Sequence, residues 1–441
     1  MKAKRILALV LAILMAAALF GCAKQESGGS GGGSGAAGGG SGSGGSSASS
    51  DSGYKIDKNK DTIVFGGSRS MTGVYAFFEQ SAYGPIYKMW VEDVNAAGGL
   101  YVEEYGKKMK IELKVYDDTS ELSTMTRNLE KAIVEDQVDF IIPPVSTAFL
   151  YAAAPIANKY GKVLVGAEGG SASLKESIAK YPYFFSSLNF SDTQAPALAA
   201  IFEEQGITSA YVVYIEDLHG TEYSQAVIPA LVSVGCDIKG VKSVPADIQD
   251  MTSIIQDAQN SGADAFLCLT YPDQGFLALN QSIALEYNPK VWFMGSGGGF
   301  SSTLDLYGKE TVQGIMSWGA WNTKSSPACA EYFEHFKEFW KDDPNVYYDY
   351  WGLVHYYAGL QCLQEAIEKT GTLDNAKVRD YLANNHFTTV LGDTWFENNL
   401  IAGDCFMGNV GQWQDGVFEV IDRSEKATSD PIVPKPAWPK S

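Results

Sequence analysis

Residues 138–174, VDFIIPPVSTAFLYAAAPIANKYGKVLVGAEGGSASL, constrain the fold more than any other stretch. Two short apolar runs, 138–142 and 163–165, flank an Ala-rich segment at 148–159. An apolar run bounded by Pro143 and Pro144 reads as a strand buried on both faces. Ser146 and Thr147 then supply a helix start, and Gly161 supplies its stop. Both predicted strands end in turns of small, hydroxyl-bearing or glycine residues, and each turn opens a helix. Such turns leave backbone N–H groups unpaired, which suits an anion. In open parallel sheets, ligands sit outside the carboxyl ends of the strands. Ser146, Thr147 and the turn Glu168, Gly169, Gly170, Ser171 are therefore candidate contacts for a carboxylate.

The surrounding chain keeps this rhythm. A strand at 62–68 precedes a helix at 80–97, with Tyr83, Ile86, Tyr87, Trp90 and Val94 at helical spacing and Gly98-Gly99 as its stop. A strand at 110–116 and an amphipathic helix at 122–135 follow, the latter with Met125, Leu129 and Ile133 on one face. The order βαβαβαβ implies a parallel sheet with helices on both faces. After a crossover at 183–189 the pattern repeats, with strands at 210–214, 238–244, 265–270 and 291–294 between helices. A chain of 441 residues fits two such lobes better than one core. Past Met316 the rhythm stops. Helices at 326–341, 347–369 and 375–384, a hairpin or extended loop at 388–401 and a last strand at 411–421 complete lobes already begun. Residues 425–441 read as a loose tail.

The amino terminus reads as a targeting device. Lys2, Lys4 and Arg5 precede an apolar run at 6–20, too short to span a membrane. It ends Leu19-Phe20-Gly21-Cys22, which resembles a bacterial lipobox and implies lipidation of Cys22. Residues 24–53 are almost wholly Gly, Ser and Ala, a flexible tether with a reach on the order of 30 Å. The expected organisation is a signal peptide at 1–21, Cys22 and tether at 22–57, a first lobe at 58–188 plus 319–408, a second at 189–318 plus 409–422, and a tail at 423–441.

Composition narrows function. A net charge of −19 disfavours nucleic acid. The six cysteines form no CxxC pair, so no zinc ribbon or redox motif is indicated. The four histidines, His219, His335, His355 and His386, lack metal-ligand spacing. The stretch GSGGGF at 295–300 puts Phe300 where a dinucleotide fingerprint needs glycine. No GxSxG falls on a strand-to-helix turn of the folded region. An enzyme is therefore disfavoured, and no cofactor or metal is expected.

Four stretches carry a family resemblance: SMTG with the helix ending VNAAGG; VYDDTSE; DFIIPPVST through GKVLVGAEGGSASL; and FMGSGGG followed by GIMSWGAW. In this order they resemble the leucine/isoleucine/valine-type periplasmic binding proteins over about residues 60–422. The resemblance implies an α/β chain of two doubly wound parallel-sheet lobes joined by a three-segment hinge, the type I fold. It implies a monomeric lipoprotein, held at the membrane through its lipid alone, that clamps an amino acid or small carboxylate and hands it to an ABC importer permease. A ligand-sensing receptor of the same fold, and a binder of a non-amino-acid carboxylate, are the alternatives. Ser146 or Thr147 and residues 168–171 match the family's carboxylate contacts. Phe78 (or Glu79), His219 and Tyr271 match its closing residues, and Trp318 stands near the cleft. Arg69, at the mouth of the first strand, is a candidate bidentate grip on a carboxylate.

One departure stands out. The family usually places an acid in the FMG turn to hold the ligand's ammonium, whereas 295–299 reads GSGGG. Either Glu168, Glu79 or Asp217 replaces it, or the ligand has no ammonium, in which case deaminated analogues bind as well as amino acids.

Overall fold

The computed structural model describes residues 54–422 and 425–440. The predicted signal peptide, Cys22 and the tether lie outside them. The strands in chain order are β1 (Thr62–Arg69), β2 (Leu100–Val102), β3 (Lys107–Asp117), β4 (Phe140–Ile142), β5 (Leu164–Gly166), β6 (Phe184–Ser186), β7 (Ser209–Ile215) and β8 (Asp237–Val244). They continue as β9 (Ala265–Leu269), β10 (Val291–Met294), β11 (Met316–Trp318), β12 (His386–Thr389), β13 (Gly392–Glu397), β14 (Leu400–Ile401), β15 (Val410–Gln414) and β16 (Val417–Val420).

In the first lobe, a sheet ordered β2-β3-β1-β4 lies beside one ordered β12-β13-β14-β6-β5, with β5 alongside β4. In the second lobe a single sheet runs β16-β15-β11-β10-β9-β7-β8. β1 pairs in parallel with β3 on one side and β4 on the other, and β7 likewise with β8 and β9. Each lobe thus has a topological switch point at the carboxyl end of its first strand, where ligands collect in this architecture. Cores form between sheets and helices. Phe65 stacks on Phe140 at 5.2 Å and meets the edge of Trp90 at 5.3 Å. Phe266 packs between Trp292 and Tyr287 in the second lobe. Gly67 is required by close approach, since a Cβ there would strike the Ile142 carbonyl of β4.

Several local expectations change. The helix predicted at 80–97 begins with a short turn, Ala76–Phe78, and a π turn, Glu79–Tyr83, before the α-helix Gly84–Ala96. Pro85, at the start of that helix, lacks an N–H and suits a helix start rather than an interior. The helix predicted at 347–369 begins only at Gly352. Before it, Asp349 pairs in antiparallel fashion with Phe300 of the second lobe. The strand predicted at 411–421 is a hairpin, β15 and β16, turning at Asp415-Gly416 with φ of 52° and 83°, as an Asp-Gly hairpin turn demands. The predicted loose tail is docked on the second lobe. Gln412 Nε2 donates to the Ile432 carbonyl at 2.9 Å, Lys435 N–H to the Lys290 carbonyl at 2.8 Å, and Trp438 Nε1 to the Tyr287 carbonyl at 2.7 Å.

Candidate functional site

The carboxyl ends of the two sheets face each other across a cleft with about 580 Å³ of atom-free space, part of it open to solvent. Its walls follow the strands. Tyr75, Phe78 and Tyr83 come after β1, Ser146 and Thr147 after β4, Glu168 and Gly170 after β5, and Leu188 after β6. His219 follows β7, Tyr271 follows β9, and Ser296, Gly297, Gly299 and Phe300 follow β10. Trp318 ends β11, and Asp349 and Trp351 precede the helix Gly352–Thr370.

The helix Thr147–Tyr160 points its amino end at this space. Ser146 Oγ accepts the Phe149 N–H at 3.4 Å, and Thr147 Oγ1 lies 3.3 Å from Ser171 Oγ. Ser146 holds φ 87° and ψ 153°, a conformation that costs a non-glycine residue about 1–3 kcal/mol and collects at ligand sites. Unpaired N–H groups, the helix dipole and two hydroxyls together make this corner suited to an anion. Gly170 is needed for space: a Cβ there would strike the Tyr223 hydroxyl and come within 3.2 Å of Trp351.

Aromatic rings from both lobes meet over the cleft. Tyr271 lies 5.6 Å from Phe78 and 5.5 Å from Tyr75, edge to face in both cases. His219 stacks on Tyr271 at 5.2 Å, and burial pushes its imidazole below the usual histidine value, so it stays neutral at pH 7. Trp318 packs against Phe293 and Tyr223, with 1% of its surface exposed.

Of the residues singled out in the sequence, Phe78, Ser146, Thr147, Glu168, Gly170, His219, Tyr271 and Trp318 line this one space. Gly169 and Ser171, expected contacts, are not in the cavity wall: Ser171 Oγ lies against Thr147 Oγ1, and Gly169 packs against Leu150 and Leu174. Arg69 and Glu79 do not reach the cavity, which corrects their expected role as direct contacts. Arg69 is fully buried and already committed: Nε meets Glu79 Oε2 at 2.6 Å, Nη1 meets Glu168 Oε1 at 2.7 Å, and Nη1 also donates to the Pro143 carbonyl. Glu79 Oε1 takes the Tyr87 hydroxyl at 2.6 Å. Asp217 caps its helix at Gly220 N–H and accepts the Tyr271 hydroxyl at 2.6 Å, outside the cavity wall.

Asp349 is the acid that the sequence reading missed. It sits 6% exposed in the cavity wall, and burial pushes its carboxyl up to about 7 against the N–H groups of Trp351 and Gly352. The sequence carries little signal for it, because the position just before the helix is Trp351 rather than a capping residue. The tyrosines and tryptophan around it read as part of the helix predicted at 347–369, whereas the helix begins only at Gly352. Glu168 is also pushed up to about 7 by burial, in spite of Arg69.

Residues 62–416 match the family model of the periplasmic binding protein. The chain belongs to the periplasmic binding protein family. Among curated relatives, Leu/Ile/Val-binding protein homolog 7 of Brucella abortus is 26% identical over 235 residues, covering 51% of this chain but only 57% of that relative. Homolog 8 of the same organism is 24% identical over 380 residues, 81% of this chain and 90% of the relative. Among solved structures, a leucine-binding protein of Thermotoga maritima superposes with a TM-score of 0.67 at 20% identity, covering 81% of this chain and 98% of that one. A solute-binding protein of an ABC transporter from Rhodopseudomonas palustris, in complex with 3,4-dihydroxybenzoic acid, gives 0.68 at 18% identity, covering 84% and 99%. These neighbours share the two-lobed type I fold.

Proposed function

We propose that the chain is an extracytoplasmic solute-binding protein that captures one small carboxylate-bearing molecule, an amino acid or a relative of one, between its lobes and delivers it to an ABC importer permease. The observation that carries this reading is the cleft itself, whose walls come from the strand ends of both lobes. One corner offers N–H groups and hydroxyls at Ser146, Thr147 and Gly170; the rest is aromatic. The ligand's carboxylate lies at the helix start, and its apolar or aromatic body lies among Phe78, Tyr271 and Trp318. The protein acts as a monomer without a cofactor. Cys22, outside the described residues, carries the lipid, and the tether holds the lobes off the membrane.

A thermal-shift screen of the tether-free protein against amino acids and aromatic acids tests the ligand class. A ligand at 100 times Kd adds about 2.7 kcal/mol to stability. No shift with any of them overturns the carboxylate reading. For the anchor, Cys22→Ala releases the protein into the soluble fraction, because two acyl chains hold a protein stably where one is marginal. Unchanged membrane association of that variant contradicts lipidation.

A further inference from the structure

We propose that Asp349 receives the ammonium group of the ligand, so that the site selects molecules carrying both an amino group and a carboxylate. This rests on the reading of the cleft as the ligand site.

The wall of the cleft contains two acids, Glu168 and Asp349, and neither lysine nor arginine. The two acids differ in their partners. Glu168 gives Oε1 to Arg69 at 2.7 Å and Oε2 to the Ala167 N–H at 2.8 Å. Asp349 has backbone partners only: Oδ1 accepts the N–H groups of Trp351 and Gly352, the latter at 2.7 Å, and the Leu353 N–H also acts on the carboxylate. Among the described residues no cationic side chain offsets its burial. A carboxylate nine-tenths buried without a cation is costly. An ammonium donating to it from the cavity supplies the missing charge.

The position of Asp349 gives that contact a second effect. Its segment is hydrogen-bonded to both lobes. Tyr347 N–H donates to the Ser81 carbonyl of the first lobe, at 2.8 Å. Ser301 N–H donates to the Tyr348 carbonyl at 2.9 Å, and Tyr350 N–H donates to the Gly299 carbonyl at 3.2 Å, both partners belonging to the second lobe. An ammonium held there sits where the lobes meet, so the amino group is read as the lobes close.

Proton balance follows. With the site empty, the Asp349 carboxyl is about half protonated near pH 7. A bound ammonium favours the anion, so binding expels that proton to solvent. Affinity for amino ligands falls as pH drops below about 7, and affinity for their deaminated counterparts does not depend on Asp349.

The test is calorimetric titration of wild-type protein and Asp349→Asn with two matched pairs: L-phenylalanine with 3-phenylpropanoate, and L-leucine with 4-methylpentanoate. Asparagine keeps one acceptor oxygen for the Trp351 and Gly352 N–H groups, and any loss from a purely capping role falls equally on the amino acid and its deaminated partner. The expected result is a loss of tenfold or more for the amino acid and less than threefold for its deaminated partner. Wild-type titrations at pH 7 in two buffers of different ionisation enthalpy read the released proton directly, whatever the variant's folding. If the deaminated acids bind wild type as well as the amino acids do, or Asp349→Asn leaves the amino acid unaffected, the ammonium assignment is overturned and the carboxylate site stands. If neither member of either pair binds, the ligand class falls, and this assignment with it.

Discussion

Behind its surface the first-lobe wall of the cleft is backed by a buried ion-pair network, whereas the acid behind the second-lobe wall, Asp217, pairs with a tyrosine hydroxyl. Arg69, Glu79 and Glu168 form a buried triad under the 168–171 turn. Opposite them stand His219, Tyr271, Ser296 and a turn of glycines, with Asp217 held outside by Tyr271. The difference shows where orientation comes from. In the proposed reading the first lobe orients the polar end of the ligand through a turn backed by Arg69 and Glu79, which stay out of reach, while Glu168 of the same triad faces the cavity. In the same reading the second lobe supplies shape and ring surface, Tyr271 and His219, that close over the ligand. A charge network is costly to bury and severe to break, whereas a ring contact is adjustable.

The largest effect that sharpens this contrast is Arg69→Leu. It leaves Glu79 and Glu168 buried without their cation, and removing one partner of such a group costs roughly 3–5 kcal/mol. Urea unfolding measures it, and a loss below 1 kcal/mol removes the triad from the account. Arg69→Lys recovers little, because a point charge cannot fork between two carboxylates.

Next comes pH. Burial raises Glu168 and Asp349 to about 7 in the folded protein, against about 4 in an unfolded chain. The folded state therefore holds more protons than the unfolded state between those values. The stability these groups contribute is complete below about pH 4 and is lost as pH rises through about 7. Unliganded wild type should gain on the order of a few kcal/mol at pH 5 relative to pH 8, compared with the double variant Glu168→Gln, Asp349→Asn. Parallel pH profiles for the two proteins rule this out.

Gly170→Ala sharpens the steric side. Its new methyl meets the Tyr223 hydroxyl and Trp351, and overpacking of this kind costs about 1–3 kcal/mol, which should appear as weaker ligand binding in calorimetry. Tyr271→Phe is a change of similar size on the other wall. It removes one hydrogen bond to the Asp217 carboxylate, and hydrogen bonds to charged groups are worth about 1.5–3 kcal/mol. A larger loss would show that the second-lobe wall is not the adjustable one.

Much of the fold was legible because strands buried on both faces leave apolar runs, and their turns leave Ser, Thr and Gly. Ser146, Thr147, Gly170 and Glu168 were found this way, from spacing within one βαβ unit. What stayed illegible depended on long-range pairing. Arg69 looked free at a strand end, and only the fold brings Glu168, 99 positions away, against it. Asp349 was hidden because Tyr347, Tyr348, Tyr350 and Trp351 imitate an apolar helix face, while their backbone in fact runs along the second lobe. The tail looked loose because its anchors, Lys435 and Trp438, find partners at Lys290 and Tyr287 only after folding.

In the proposed function ligand is held between the lobes. Phe78 and Tyr271 touch across the cleft, so entry requires the lobes to part and capture requires them to close. Small-angle scattering, with and without saturating L-leucine or L-phenylalanine, reads this directly. Ligand should give a smaller radius of gyration, together with a change in tryptophan emission, because Trp318 and Trp351 line the cavity. Tight binding that leaves both the radius and the emission unaltered would contradict this reading.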